Sequence, residues 1–442
     1  MAWAGQSGPC HTALGPNICT QVEPGLLPPL TMASMGINQR DKKTFLHMPV
    51  EIIAIIIHEW TMLEWFAPAI ARKICRYLKE ITDASPHAWS KLFLRYRSPA
   101  TPDGVRDWLK RAKSVPKEII IDTENYDIAL AALEGAKDAT SLIYVLPTFK
   151  EIPSYPEELI WLRIQMPRLR HLVLNTLNLY SVLSPGDTYN PFHGAHLPCL
   201  TILKLIFVDS AKIYITPGQL PAIRRLALHS VYGPILDLIQ ACSGTVEHLI
   251  VRNSTHERQS YPHGRICLPN LKVLTVAATV GIVSNLEAPT LRLIQADHAD
   301  MDGNTRPFSS VVEWVTRPYY HWRPVDITDH LTNMPKLQHL MISQHIETIK
   351  LCFVSLRDNR RLCPDLQSIE VNGFRDKDWF LQYKLDSDLM EFLKACVAWR
   401  AEEVPGFTLQ FVDDYVQATR HVQSYVVGLF IIMHHYLSHH AF

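Results

Sequence analysis

Residues Pro167-Arg168-Leu169-Arg170-His171-Leu172-Val173-Leu174 return, in altered form, as Pro198-Cys199-Leu200-Thr201-Ile202-Leu203-Lys204-Leu205. The shared unit is Pro-x-Leu-x-x-Leu-x-Leu. It recurs as Pro221-Ile223-Leu226-Leu228, Pro269-Leu271-Leu274-Val276 and Pro289-Leu291-Ile294-Ala296. It recurs again as Pro335-Leu337-Leu340-Ile342 and Pro364-Leu366-Ile369-Val371. A weaker copy, Val246-Leu249-Val251, carries Gly244 where the proline is expected. The anchors stand at 169, 200, 223, 246, 271, 291, 337 and 366, so successive gaps are 31, 23, 23, 25, 20, 46 and 29. The gap of 46 is twice 23, which places a degenerate copy between 297 and 333, with Val325-Asp326-Ile327 as its strand.

The last two apolar positions of the unit alternate, so they share one face of a short strand. A strand that short cannot bury its face alone. Stacked neighbours form a parallel sheet with a continuous apolar interior, and such an array grows without deepening a single core. The helical spacing of Ile235, Leu236, Leu238 and Ile239, and of Ile349, Phe353 and Leu356, supplies the layer behind the sheet. Leu389, Phe392, Leu393 and Val397 form an amphipathic stretch suited to a terminal cap.

Outward from the repeats, residues 1–43 are rich in Gly, Pro and Ser and read as a disordered leader. Residues 44–97 read as a helical module. In it Ile52, Ile53, Ile56, Ile57 and Trp60, then Ile70, Ile74, Leu78 and Ile81, recur at steps of three and four. Pro86 closes the second helix. Residues 98–165 read as a linker and N-terminal cap, with a helix around Trp108, a buried strand at Glu118–Asp122 and a helix over Ile128–Ala136. The repeat domain with its cap spans 166–400, and 401–442 has no clear pattern.

The bulk numbers exclude several classes. Lys+Arg and Asp+Glu are both 43, which argues against nucleic acid. The nine cysteines are scattered, with no CxxC pair, as in a reducing cytoplasmic or nuclear compartment. The N-terminus lacks a signal-peptide pattern, and the apolar run Val426–Met433 is far too short to span a membrane. No nucleophile elbow, phosphate loop, zinc-protease motif or dinucleotide fingerprint is present, so the chain reads as non-catalytic, without cofactor or resident metal.

Two resemblances follow. Residues 166–375 resemble the leucine-rich-repeat family. The helical module resembles the F-box-like domain of fungal proteins of basidiomycete type. Met48-Pro49-Val50-Glu51-Ile52-Ile53 matches its Leu-Pro-x-Glu-Ile opening, with Met48 in place of leucine. Ile74-Cys75-Arg76-Tyr77-Leu78 matches its Val-Cys-Arg-x-Trp helix, with Leu78 in place of tryptophan. Ser85-Pro86-His87-Ala88-Trp89 matches its Ser/Thr-Pro-x-x-Trp. Trp108–Ala112, with Pro116 beyond, is similar to the helix that follows in large mushroom-type families.

The fold implied is α/β: a three-helix F-box-like module, then a leucine-rich-repeat solenoid with parallel strands on the concave side and helices on the convex side. The function implied is substrate recognition in a cullin-RING (SCF-type) ubiquitin ligase. The module would dock on a Skp-type adaptor, and through it the cullin scaffold, using Met48, Pro49, Ile52, Ile53, Ile56, Ile74, Leu78 and Trp89. The repeats would hold a protein substrate on the concave face. The candidates there, from strand alternation, are His171, Asn175, Arg225, His229, His248, Arg252, His339 and Glu370. The alternative is a repeat scaffold with a decayed F-box and no ligase role. His171, His248 and His339 share one column, and His434, His435, His439 and His440 cluster near the C-terminus. A solvated face and a plain polar tail are the default readings of both.

Overall fold

The computed structural model describes residues 48–95, 99–123, 125–145, 165–175, 196–206, 220, 222–231, 235–254, 265–279, 281–296, 301, 308–316, 326–343, 346–372 and 387–412. The leader and the histidine-rich cluster near the C-terminus lie outside them. The chain divides into two compact units, Met1–Ile55 and Ile56–Phe442. In the first unit the described residues are the opening of helix α1, Val50–Leu63. The carbonyl of Pro49 accepts from the backbone N–H groups of Ile52 and Ile53, starting that helix.

The second unit is α/β and solenoid-like. Its sheet is wholly parallel, and thirteen strands follow one another in sequence order. They are β1 Lys91–Leu94, β2 Lys117–Ile121, β3 Ala139–Val145, β4 His171–Asn175, β5 Ile202–Ile206, β6 Arg225–His229 and β7 His248–Arg252. The sheet continues through β9 Val273–Ala277, β11 Leu293–Gln295, β12 Glu313–Val315, β13 His339–Ser343, β14 Ser368–Asn372 and β15 Thr408–Val412. A separate pair, β8 Ile266–Cys267 and β10 Leu286–Glu287, stands beside it.

The repeated proline has a local cause. In each of six copies the anchor leucine donates its N–H to the carbonyl three residues back, as from Leu169 to Met166 and from Leu366 to Cys363. Proline is therefore the second residue of a β-turn, where its fixed φ is favoured. After the turn the chain enters its strand, and the alternate leucines face inward. Leu172, Leu203, Leu226, Leu249 and Leu274 are aligned by the register and are all buried. Beyond β6, β7 and β9 the chain leaves through residues of positive φ, Ser230, Asn253 and Ala278. There Ser254 Oγ accepts from Val231 N–H, and Thr279 Oγ1 accepts from Ser254 N–H.

The degenerate copy lies at Val311-Trp314, not at 325–327. Val311 makes the same turn to Phe308, and Trp314, fully buried, fills the leucine position of β12. The gap of 46 thus divides into 20 and 26. Asp326 and Ile327 instead lead into a short helix at Thr328–Thr332. The sheet is also longer than the repeat pattern at both ends. Residues 91–94 form its first strand rather than the close of a helical module, and 408–412 add a strand after the supposed cap.

Nine helices occur among the described residues. Besides α1 and the short helix just named, called α7 in chain order, they are α2 Ala67–Ile74, α3 Arg76–Ala84, α4 Pro102–Arg111, α5 Tyr126–Glu134, α6 Ile235–Ala241, α8 Ile346–Asp358 and α9 Ser387–Glu403. The single helix expected over 70–81 is broken at Cys75, which is extended and whose sulfur accepts from the N–H of Leu78. Among the described residues no helix is long and apolar enough to cross a membrane.

Candidate partner-binding surfaces

The adaptor-face candidates separate by burial. Met48, Pro49 and Ile52 in the first unit are exposed, and so are Ile56 and Ile74 in the second. Ile53, Leu78 and Trp89 are not available to a partner: they are 0, 5 and 2% exposed. Trp89 is fixed from several sides. Its indole N–H donates to Thr82 O at 2.8 Å, and Trp108 packs edge-on at 4.7 Å. The guanidinium groups of Arg72 and Arg111 lie 5.7 and 4.9 Å from its ring, within cation–π range. Asp83 pairs with both arginines. The Trp in Ser-Pro-x-x-Trp is thus a structural peg.

Six further exposed apolar side chains of this segment were not among the adaptor-face candidates: Val50 and Ile55 in the first unit, and Met62, Leu63, Phe66 and Ile70 in the second. Phe66, Ile70 and Ile74 are spaced four apart and share one face of α2. The small residues Ala67, Pro68 and Ala71 take the buried side. The helix therefore buries its small side chains and shows its large ones to solvent. The signal in the sequence was the presence of two apolar sets at helical spacing, only one of which can face a core.

The outward face of the sheet is ordered by register. His171, Arg225, His248, His339 and Ser368 fall in the first outward column. Val173, Lys204, Ala227, Ile250 and Glu370 fall in the second, and Asn175, His229 and Arg252 in the third. The histidine column does not converge. Ile202 and Arg225 stand between His171 and His248, which puts them about 14 Å apart at the usual strand spacing. His339 is four strands further on and contacts Ser368 Oγ through Nδ1 at 2.9 Å. No cluster of metal-ligating side chains occurs among the described residues.

The electrostatics concentrate on β5–β7. Burial, with Arg252 and its charge nearby, pushes Lys204 down to about 8. Burial, then Lys204 and Arg252, pushes His229 down to about 3. Arg252 is lowered by burial, and His248 by burial and then Arg225. His171 is lowered by burial and then Lys204. Lys204 was missed by the sequence reading, although the same alternation points to it. It is 8% exposed, rare for an outward lysine. No protein-family model matches the chain, and no curated protein matches it.

Proposed function

We propose that the chain is a substrate receptor of a cullin-RING ubiquitin ligase. On this reading residues 48–89 form an F-box-like module that docks on a Skp-type adaptor, and the sheet is that of a leucine-rich-repeat solenoid whose outward face holds a protein substrate. The observation that carries it is where the apolar surface lies. Of twelve large apolar side chains exposed among the described residues, ten fall between Met48 and Ile74. Six of these, Ile56, Met62, Leu63, Phe66, Ile70 and Ile74, are in the second unit. Concentration of exposed apolar side chains in one short segment marks a protein contact rather than ordinary surface. The chemistry would belong to other subunits, and this chain would supply proximity.

The test is capture of the full chain by a purified fungal Skp-type adaptor. Ile56→Glu and Ile74→Glu place charges on the exposed positions and abolish capture, while the circular dichroism and melting of the chain are retained. Absence of capture by well-folded wild-type protein rejects the ligase reading and leaves the repeat scaffold, for which Met48 and Leu78, departing from the family pattern, would be the reason.

A further inference from the structure

Helix α2 buries Ala67, Pro68 and Ala71, so its packing leaves the large side chains to water. Phe66, Ile70 and Ile74 form a stripe with steps of one turn, and Met62 and Leu63 close the helix that leads into it. Leu63 is 86% exposed. With Ile56, these six side chains leave about 600 Å² of apolar surface in water, at roughly 200 Å² for a fully exposed one. That is the upper end of the largest patch on an ordinary monomer, about 300–600 Å². A contact between two copies counts the surface twice, about 1,200 Å², which reaches the size of a stable specific interface.

The charges around the stripe are ordered. Arg72 pairs with Asp83, and Arg76 with Glu80. Glu59, Glu64, Lys73 and Lys79 are exposed and form no ion pair among the described residues. Glu59 and Glu64 precede the stripe in the chain, while Lys73 stands in its last turn and Lys79 beyond it. Two copies of α2 laid parallel would set like charges side by side. Laid antiparallel about a two-fold axis near Ile70, Phe66 of one copy meets Ile74 of the other. Lys73 then lies across from Ala67, one turn from Glu64, within reach of a lysine side chain.

We propose that the chain forms a two-fold homodimer through antiparallel α2 helices, a second copy of the chain being the occupant of this stripe. The dimer rests on the exposed face and its charges alone. Its consequence rests on the ligase reading: self-association and adaptor docking exclude one another, because both cover Ile56 and Ile74.

Sedimentation equilibrium of the full chain from about 1 to 100 µM is expected to show monomer and dimer in equilibrium. Ile70→Glu leaves a monomer with unchanged circular dichroism. Lys73→Glu and Glu64→Lys each weaken the dimer at least about tenfold, because each sets like charges together at both symmetric places. The chain carrying both substitutions dimerises as the wild type does, a recovery that neither misfolding nor a different contact would give. A monomer throughout, larger aggregates in place of a dimer, a dimer that survives Ile70→Glu, or no recovery in the combined variant overturns the proposal. Purified Skp-type adaptor is then added to the wild-type chain. Conversion of the dimer into a one-to-one complex with adaptor supports the exclusion, and capture with the dimer intact overturns it. A dimer that the adaptor fails to capture sinks the ligase reading alone. Capture of a chain that is monomeric without adaptor sinks the dimer alone.

Discussion

The indole N–H of Trp108 is shared between two carbonyls, those of Trp89 and Lys91, each 3.0 Å away. Lys91 opens β1, the terminal strand of the sheet, whose outer carbonyls have no strand to pair with among the described residues. One side chain from α4 thereby covers an open edge and joins it to the helical segment. Exposed edges invite pairing with other chains. Trp108→Phe removes the shared hydrogen bond and lowers stability by about 1 kcal/mol. Trp108→Ala also removes the packing against Trp89 and costs about 3 kcal/mol. Urea denaturation of the full chain measures both, and no loss in Trp108→Phe would show that the hydrogen bond carries nothing.

Gly135 closes α5 with φ of −83°, which any residue tolerates, so its requirement is space rather than conformation. A Cβ there would collide with Leu109 Cδ1 and approach Leu109 Cβ to 3.2 Å. Gly135→Ala is expected to destabilise by about 1–3 kcal/mol through overpacking. Leu109→Ala in the same chain should recover part of that loss. A double-mutant cycle reads the coupling, and simple additivity would contradict the contact.

Arg400 is 1% exposed within α9. Its guanidinium donates to Cys363 O and pairs with Glu403, which also pairs with Arg360. Arg400→Ala leaves a cavity, an unmet carbonyl and an uncovered carboxylate, for a loss of about 3–5 kcal/mol. Arg400→Met fills the volume and should be milder by at least about 1 kcal/mol. Thermal melts rank the two, and equal losses would show that the ion pair and hydrogen bond, lost in both, outweigh the packing there.

His229 gives the chain an acid response. Its folded pKa, pushed down to about 3 by burial and then by Lys204 and Arg252, lies below the unfolded value of about 6.5. The unfolded state therefore binds more protons between these values, and stability rises with pH across the window. The contribution is complete above about pH 6.5 and is lost as pH falls toward 3. Urea midpoints at about pH 7 and 4.5 should fall more for wild type than for His229→Asn. Equal falls would mean that His229 is solvated.

The repeats were legible because their turn and strand are coded together. Proline at the second turn position and leucines at alternate strand positions leave one register open to the chain. Strands β1 and β3 carry the alternation, in Leu92 and Leu94 and in Leu142 and Tyr144, without the proline turn. Periodicity alone did not separate them from helix. Strand β12 hid because Trp314 replaced leucine and Ser309 replaced proline. The outward candidates followed from alternation, but Trp89 and Leu78 did not: a motif names residue types and says nothing of which side of a helix meets the core. Lys204 shows the converse limit, since burial on an outward face depends on neighbours that no local pattern encodes.

Every strand of the large sheet borders the strands next before and after it in the chain, apart from the small excursion through β8 and β10. A protein wired this way has almost no commitment to its total length. Copying one turn-and-strand segment of some two dozen residues would lengthen the array while leaving all other neighbours as they were. Outward-facing surface can therefore be added or deleted by unequal exchange within the gene, one strip at a time, and each strip's outward residues can diverge without renegotiating the interior.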